Sequence, residues 1–274
     1  MVYIIISVCA LFVIFCGIYL FCLFPSRRRF DFFEKHKYFA HRGLHDNAVI
    51  PENSLPAFAR AAEKGYGIEL DVHLTSDGKL IVFHDDDTSR MCGEKLIPEK
   101  ETFAGMKELS LGGTEEKIPS FEEVLSLVNG RVPLIVELKG VTFNPAVCVA
   151  AAETLDKYKG EYCVESFNPF FVRWWKKNRP SVIRGQLACR MSKQRSFIKK
   201  IEYTALGNMA FNAFSRPDFV AYDLHGRRRV AFRLARALGA IPVAWTVRNA
   251  KELEIARKGF VSFIFENEED TLGK

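Results

Sequence analysis

The sequence predicts an α/β barrel of parallel strands, preceded by one N-terminal transmembrane helix. Three observations predict this fold class. Short apolar runs alternate with longer helical patterns over residues 38–265, which is typical of a mostly parallel sheet or barrel. The roughly 250 residues that follow the first apolar segment match the usual size of one such barrel. The composition, 48% hydrophobic and 26% charged, is that of a globular protein and excludes disordered, collagen-like and small disulfide-rich chains.

The first apolar segment, Val2 to Phe24, is long enough to cross a bilayer. Its 23 residues carry no charge, and as a helix they would extend roughly 34 Å, against about 30 Å for the hydrocarbon core. No basic residue precedes the segment, and Pro25 and an arginine run follow it where a cleavage site would need small residues. These features favour an uncleaved anchor over a signal peptide. We therefore expect an anchor over residues 1–25, a basic juxtamembrane linker over 26–37 and one barrel domain over 38–274.

The positive charges beside the anchor predict its orientation. Arg27, Arg28, Arg29, Lys35 and Lys37 all follow the anchor, so the positive-inside rule places the barrel in the cytoplasm of a single-pass cell-membrane protein. The arginine run is typical of a stop-transfer flank and can also attract anionic lipid headgroups. The chain carries a net charge of +6, but its basic clusters are not interleaved with aromatic residues, so no nucleic-acid partner is expected.

Nine runs have the length and composition of β-strands, one more than a barrel of eight needs. The excess has a local explanation, because Thr75 to Gly78 is too short for a parallel crossover and its Asp-Gly pair is a strong hairpin signal. One run is therefore predicted to be an antiparallel excursion. The nine runs are Tyr38–His41, Gly67–His73, Leu80–His84, Pro133–Leu138, Tyr162–Ser166, Ile183–Ala188, Phe219–Tyr222, Ile241–Thr246 and Val261–Phe265.

Helical patterns fit between these strands. Apolar residues recur at i, i+3, i+4 and i+7 from Leu55 to Ala62, with Asn53 or Ser54 as the N-cap and Gly65 just past the end. The segment from Arg90 to Lys117 has several glycines and no clear period, which predicts an irregular insertion. Further helices are predicted over residues 146–158, 169–177, 227–238 and 249–258.

Two carboxylates are predicted to share one face of the second strand. Apolar and polar residues alternate from Gly67 to His73, so Glu69, Asp71 and His73 point the same way. If the Asp-Gly pair forms a two-residue loop, Asp71 lies opposite His84, and cross-strand partners share a face. The pattern thus predicts a cluster of Glu69, Asp71 and His84. His73 lies further along the strand, where we expect it to support or pack against this cluster.

A third carboxylate completes a candidate metal site. An apolar strand ends in Glu137 and Lys139 on a common face, and charges at the end of a barrel strand are typical of active sites. Several buried acids repel one another and are costly to desolvate unless a cation compensates them. One divalent ion on Glu69, Asp71 and Glu137 would do so, and oxygen-only ligands favour Mg²⁺, Ca²⁺ or Mn²⁺ over zinc. The alternative is a solvated strand face with surface salt bridges.

His41, Arg42 and Gly43 follow the first predicted strand and offer complementary groups. The imidazole can transfer protons, and the guanidinium can bind a phosphate through two hydrogen bonds. The glycine allows a ligand to approach closely. A single histidine would more often be structural, but a histidine beside an arginine at a strand end favours a function.

Five ordered motifs carry a family resemblance. They are His41-Arg42-Gly43, Pro51-Glu52-Asn53-Ser54, Glu69-Leu70-Asp71-Val72, His84-Asp85 and Glu137-Leu138-Lys139. These residues resemble the glycerophosphodiester phosphodiesterase family. Two later segments are similar as well, Ser166-Phe167-Asn168-Pro169 and Trp245-Thr246-Val247. The resemblance implies a TIM (β/α)8 barrel with a short insertion, and hydrolysis of a glycerophosphodiester to glycerol 3-phosphate and an alcohol.

The resemblance also implies a role for each motif residue. Glu52 would support the site, with a simple charge at the start of a helix as the alternative. Trp245 would form a wall of the substrate pocket or belong to the core. The remaining implied roles are ligands of one divalent metal ion for Glu69, Asp71 and Glu137, general acid and base in either order for His41 and His84, and phosphate binding for Arg42 and Lys139.

Two departures from the family pattern concern the last strands. Arg248 stands where Asn is common, and Phe263 to Asn267 replaces a Thr-Asp pair and a nearby proline. We expect these differences to affect the last loop and substrate preference rather than the metal centre. The anchor suggests a membrane-derived substrate, so a lysolipid and a soluble glycerophosphodiester both stay open. A lysophospholipase D and a catalytically silent phosphodiester-binding membrane protein are the alternative functions.

Overall fold

The computed structural model describes residues 1–140, 144–189 and 207–273 and contains a closed barrel of eight parallel strands. The strands in these ranges are β1 (Tyr38–His41), β2 (Gly67–Leu74), β3 (Leu80–Val82), β4 (Leu134–Leu138), β5 (Tyr162–Ser166), β6 (Ile183–Ala188), β7 (Phe219–Asp223), β8 (Ile241–Val247) and β9 (Ser262–Phe265). Their order is β1-β9-β8-β7-β6-β5-β4-β2-β3, and β1 also pairs with β2, which closes the barrel. Only β3 is antiparallel to its neighbour. The predicted barrel and its single antiparallel excursion are confirmed.

Helices cover the outside of the barrel. All five helices predicted between the strands are present, with ends that differ by a few residues. The helices of the described residues are α1 (Val2–Leu23), α2 (Phe32–Lys35), α3 (Leu55–Glu63), α4 (Ser89–Cys92), α5 (Phe103–Glu108), α6 (Phe121–Val128), α7 (Ala146–Leu155), α8 (Pro169–Asn178), α9 (Asn212–Ser215), α10 (Val230–Ala237), α11 (Ala250–Arg257) and α12 (Glu268–Leu272).

The register of the hairpin differs from the predicted one by one residue. Thr75 pairs with Lys79, since its N–H donates to the Lys79 carbonyl at 2.8 Å, so the loop has three residues rather than two. The Thr75 hydroxyl explains the longer loop, because it donates to Asp77 Oδ1 at 2.6 Å and accepts from the Lys79 N–H at 3.0 Å. As a result Asp71 lies opposite Phe83 and not opposite His84.

The region between β3 and β4 is more ordered than the sequence suggested. The predicted irregular insertion contains the short helices α4 and α5 and a 3₁₀ turn over Pro98–Lys100. Helix α6 was not predicted, although Ser120 and Glu123 form a capping box at its start. The Glu123 N–H donates to Ser120 Oγ at 3.1 Å, and the Ser120 N–H donates to Glu123 Oε2 at 2.7 Å. The apolar side chains of the insertion pack together with Ile81 and Phe83 in a small cluster of their own.

The barrel interior has an apolar layer below a polar layer, because residues two apart on a strand point the same way. Gly67 makes room for the apolar layer, since a Cβ there would lie 2.5 Å from the Phe39 ring. The apolar layer includes Phe39, Ile135, Cys163, Val243 and Ile264. Two residues further along the same strands stand His41, Glu137, Glu165, Trp245 and Glu266. The sequence pattern thus places charged groups at the carboxyl ends of the strands, where barrel active sites lie.

The segment between α1 and β1 closes the opposite, amino-terminal end of the barrel. Phe33 in α2 packs against the rings of Phe39 and Phe219. Arg28 donates hydrogen bonds to three carbonyl oxygens just before β6 and pairs with Asp218 at 3.1 Å. Arg28 is therefore bound to the barrel, whereas Arg27 and Arg29 of the same run are exposed.

Within the described residues, α1 is the one helix that is long and apolar enough to cross a bilayer. Most of α1 is exposed, and only one face of its last two turns touches the barrel. Leu23 is fully buried there, and Cys16, Tyr19 and Cys22 are partly buried.

Candidate active site

Three buried carboxylates converge at the carboxyl end of the barrel. Parallel pairing places His41 of β1 beside Glu69 of β2, and Asp71 of β2 beside Glu137 of β4. One oxygen atom from each of Glu69, Asp71 and Glu137 lies within 4.8 Å of the other two. The structure therefore brings the predicted metal ligands together. A donor set made only of carboxylate oxygens fits a hard divalent cation.

The three carboxylates are not equivalent electrostatically. Burial raises the pKa of Glu69 well above its usual value, and the charges of Asp71 and Glu137 raise it further. Burial is also the main cause of the raised pKa of Glu137. Burial also tends to raise the pKa of Asp71. The positive charge of Lys139, with smaller effects of His84 and Arg42, outweighs burial and holds the pKa of Asp71 well below its usual range. The site thus carries a charge imbalance that a bound cation would relieve.

Two cations flank the acidic cluster. Lys139 Nζ lies 2.9 Å from Asp71 Oδ1 and 2.8 Å from Glu137 Oε1. Burial opposes its charged form, yet these two carboxylates raise the pKa of Lys139. On the other side, the Arg42 backbone N–H donates to Glu69 Oε2 at 3.1 Å, and its guanidinium Nε lies 3.6 Å from Asp71 Oδ2. Both predicted phosphate-binding cations therefore border the cluster.

His41 is held between two carboxylates. Its Nδ1 lies 2.5 Å from Glu266 Oε1, and its Nε2 lies 3.9 Å from Glu69 Oε2. Burial lowers the pKa of His41 to about 4, although Glu266 acts against this shift. Burial opposes ionisation of Glu266, but the hydrogen bond from His41 lowers the pKa of Glu266 to about 2. An ionised carboxylate only accepts, so Nδ1 carries the proton and Nε2 presents a lone pair to the acidic cluster.

His84 reaches the site although its predicted position in the hairpin is wrong. β3 ends at Val82, and the Phe83 N–H still donates to the Asp71 carbonyl at 3.0 Å, so His84 is the first residue beyond the paired part of the hairpin. His84 is close enough to Asp71 and Glu137 to affect both electrostatically. Its Nδ1 lies 2.6 Å from Asp85 Oδ1, and its side chain is 31% exposed. His84 therefore lies at the edge of the site, open to solvent.

A second group of polar residues supports the cations and histidines of the site. Glu52 accepts from Arg42 at 2.6 Å and from Arg90 at 2.6 Å. Burial acts against ionisation, but these two arginines lower the pKa of Glu52 to about 2. Arg90 also donates to Asp85 at 2.6 Å. Glu52 thus orients Arg42 rather than facing a ligand, and Arg90 joins the supports of Arg42 and His84.

Asn53 supports the acidic cluster directly. Its Nδ2 donates to Asp71 Oδ2 at 2.8 Å. The residue adopts φ +55°, a left-handed conformation that Asn tolerates better than most residues. The N-cap of α3 is Ser54, whose hydroxyl accepts from the Ala57 N–H at 3.4 Å. Of the two N-cap candidates, one caps the helix and the other fixes Asp71.

Trp245 belongs in part to the core, one of the two roles predicted for it. It packs on the apolar layer of the barrel and makes an edge-on contact with Phe167 at 5.6 Å, yet it is only partly buried. Its indole Nε1 is shielded from solvent and has no hydrogen-bond partner among the described residues. His73 pairs with Glu99 at 2.7 Å through Nδ1, and its Nε2 lies 3.5 Å from the carbonyl oxygen of His84.

Sequence reasoning did not single out Arg90, Glu165 or Glu266. Burial raises the pKa of Glu165 well above its usual value, and the charges of Glu137 and Asp71 raise it further. The alternation of side chains along β5 and β9 is a signal for both glutamates, because each stands two residues after a buried apolar residue and therefore points to the same side of the strand. No comparable local signal marks Arg90, which contacts the site from the insertion.

Comparison with known proteins assigns the family. The model of the glycerophosphoryl diester phosphodiesterase family matches residues 41–271. The chain belongs to this family. A glycerophosphodiester phosphodiesterase of Caldanaerobacter subterraneus subsp. tengcongensis is 30% identical over 85% of this chain and 94% of its own length. One from Bacillus subtilis is 24% identical over 86% of this chain and 84% of its own length.

Solved structures of two other phosphodiesterases confirm the fold. An Oleispira antarctica phosphodiesterase in complex with the product sn-glycerol-3-phosphate superposes with a TM-score of 0.68 at 22% identity, covering 84% of this chain and 92% of that one. The glycerophosphodiester phosphodiesterase of Thermotoga maritima gives a TM-score of 0.63 at 24% identity, covering 84% and 94%. The resemblance inferred from the five motifs is therefore confirmed.

Proposed function

We propose that this protein hydrolyses glycerophosphodiesters to glycerol 3-phosphate and an alcohol at a membrane, with one divalent metal ion and two histidines. Membership of the family assigns the reaction type, phosphoric diester hydrolysis. The observation that carries the proposal is the convergence of Glu69, Asp71 and Glu137 within 4.8 Å, beside His41. The glycerol 3-phosphate product bound to the Oleispira antarctica phosphodiesterase supports a glycerophosphodiester substrate.

The acidic residues suit a metal ion better than a purely structural role. Three carboxylates are buried together, and Lys139 and Arg42 offset only part of their repulsion. Glu69, Asp71 and Glu137 would hold Mg²⁺, Ca²⁺ or Mn²⁺ through oxygen atoms alone. When bound, the ion would draw charge from a phosphate oxygen and a glycerol hydroxyl as a Lewis acid.

The two histidines divide the proton transfers. His41 is neutral, and its Nε2 lone pair is directed to the acidic cluster, so it accepts the proton of the attacking oxygen. Glu266 holds the ring in this tautomer. His84, at the solvent-exposed edge, gives a proton to the leaving alkoxide and exchanges it with water. Arg42 and Lys139 stabilise the negative charge of the phosphoryl group during the reaction.

The N-terminal helix supports a membrane location. α1 is long and apolar enough to span a bilayer, and the basic residues that follow it favour a cytoplasmic barrel. Arg216 donates to the carbonyl of Phe24 at 2.8 Å, so the end of α1 is bound to the barrel. A helix that contributes packing to the folded domain is better explained as a retained anchor than as a removed signal sequence.

The test is a phosphodiesterase assay of the full chain with glycerophosphocholine and glycerophosphoglycerol. Each substrate is assayed with EDTA and with added Mg²⁺, Ca²⁺ or Mn²⁺, beside a Glu69→Gln variant. We expect metal-dependent release of glycerol 3-phosphate that the variant loses. Metal binding to a folded chain without any cleavage would contradict the proposal and favour a silent phosphodiester-binding protein.

A further inference from the structure

The last two turns of α1 pack lengthwise on the side of the barrel. α1 contacts α9 and α10, the helices that precede and follow β7. Leu23 is buried in the core between the strands and their helices, and Tyr19, one turn earlier, packs against the same core. Arg216 lies over the ring of Phe21 at 4.5 Å. These contacts fix the direction in which the apolar helix leaves the barrel.

That direction is towards the open, carboxyl end. Just after α1, the Ser26 N–H donates to the Pro217 carbonyl at 2.8 Å, two residues before β7 begins. Seven residues earlier in the chain, Tyr19 interacts electrostatically with Arg229, which follows β7 and immediately precedes α10. Since β7 runs from the closed to the open end, the exposed first half of α1 projects past the open end.

The length of α1 leaves little distance between the barrel and a bilayer. Its 22 residues extend about 33 Å, only slightly more than a hydrocarbon core of about 30 Å. The last two turns, about 11 Å, already lie beside the barrel, so only about 22 Å of helix extends beyond it. If α1 spans the membrane, the open end of the barrel must therefore reach the headgroup layer.

The side chains around the open end suit such a surface. Val49 follows β1 and is 76% exposed, Phe170 begins α8 after β5 and is 38% exposed, and Val230 begins α10 and is 66% exposed. Arg228 is exposed beside Val230. We call Val49, Phe170, Arg228 and Val230 the mouth rim. Exposed apolar groups mixed with basic ones are typical of surfaces that lie in the membrane interface.

We propose that the mouth rim lies against the anchored membrane, so that the active site opens onto the lipid surface. The inference rests on the proposed phosphodiesterase function and on α1 as an anchor. A glycerophosphodiester that keeps one acyl chain would then enter the barrel with its phosphate while the chain stays in the bilayer. A fully deacylated diester would reach the same site from solution.

The test compares a rim variant with a matched control on two substrates. Val49→Glu/Val230→Glu places two charges on the rim, and Val261→Glu places one at the closed end, on a valine 42% exposed just before β9. The full-length proteins are reconstituted in phosphatidylcholine vesicles. Cleavage of lysophosphatidylcholine in the vesicles and of glycerophosphocholine in solution is then measured.

We expect the rim variant to lose at least about tenfold in lysophosphatidylcholine cleavage, because two valines no longer enter the interface. Glycerophosphocholine cleavage should stay unchanged, and the Val261→Glu protein should match the wild type on both substrates. Equal effects on both substrates, or no cleavage of lysophosphatidylcholine by the wild type, would overturn the inference. Failure of the wild type on glycerophosphocholine as well would instead count against the proposed function.

A second measurement does not depend on activity. Val49→Trp and Val261→Trp each add one indole, at the rim and at the closed end. In vesicles of phosphatidylcholine brominated near the glycerol end of its acyl chains, we expect additional quenching for Val49→Trp only. Equal quenching of the two added indoles would show that the rim does not face the bilayer.

Discussion

His41 Nδ1 and Glu266 Oε1 lie 2.5 Å apart, which joins the first strand of the barrel to the last. Glu266 also accepts from Arg248 Nε at 3.0 Å through its other oxygen. Arg248 and the segment that contains Glu266 are the two positions where the sequence departs from the family pattern. They form one unit that contacts His41, so the departure extends beyond the last loop to the histidine for which we propose proton transfer.

Replacing Glu266 by Gln should lower kcat by about 10²-fold, because the neutral amide no longer fixes the tautomer and orientation of the His41 ring. KM should change little, since Glu266 does not border the cations expected to bind phosphate. Steady-state kinetics with glycerophosphocholine measure both constants. The matched control is Arg248→Gln, which keeps Glu266 in place and should lose less than about tenfold. Equal losses in the two variants would contradict a specific role of Glu266.

The fold could be predicted because its signals are local. Apolar runs of strand length, helical spacing between them and one Asp-Gly pair are each visible within a few residues, and together they gave the barrel and its hairpin. The hairpin register failed for an equally local reason, since the Thr75 hydroxyl closes a three-residue loop. The capping box of Ser120 and Glu123 is an equally local signal for α6.

The site could be predicted only where several chemical groups stand close together in the sequence. Glu69 and Asp71 lie on one strand, and His41 and Arg42 are adjacent, so their patterns suggest a function by themselves. Glu165 stands alone on β5, Glu266 directly follows β9, and Arg90 lies in the insertion. Their contacts depend on barrel closure, which brings together residues far apart in the chain.

Removing one carboxylate should stabilise the metal-free protein. Burial and neighbouring acids raise the pKa of Glu69. When the protein folds at pH 7, Glu69 must therefore either take up a proton or be buried as a charge beside other carboxylates, and both cost free energy. Glu69→Gln avoids this cost and should gain about 1–3 kcal/mol at pH 7 in EDTA. The gain should shrink towards pH 4.5, where the unfolded carboxyl is protonated as well. Urea unfolding at both pH values measures it.

The control for this variant is Glu153→Gln, an exposed position on α7 that should leave stability unchanged. Added Mg²⁺, Ca²⁺ or Mn²⁺ should raise the unfolding temperature of the wild type but not that of Glu69→Gln. A metal-induced shift of equal size in both proteins would exclude Glu69 as a ligand.

Lys139→Met should have the opposite effect on stability. The ammonium group bridges Asp71 and Glu137, and its removal leaves two buried carboxylates without their main cation. Breaking a buried ion pair in this way costs about 3–5 kcal/mol. Urea unfolding in EDTA should show this loss, and saturating metal should recover part of it. Lys79→Met, at an exposed position directly after the hairpin loop, should change stability by less than about 0.5 kcal/mol.

Arg90→Met should weaken the acid sensitivity of the fold. Arg90 and Arg42 lower the pKa of Glu52 to about 2, against the effect of burial. A lowered pKa gives stability that is complete above the pKa of the unfolded glutamate, near 4.5, and is lost as the pH falls towards about 2. Without Arg90 the pKa of Glu52 lies closer to its ordinary value, so the variant is less stable at pH 7 and loses less on acidification. Urea unfolding from pH 7 to pH 3 measures the slope, and parallel curves for the two proteins would exclude Arg90 as the cause.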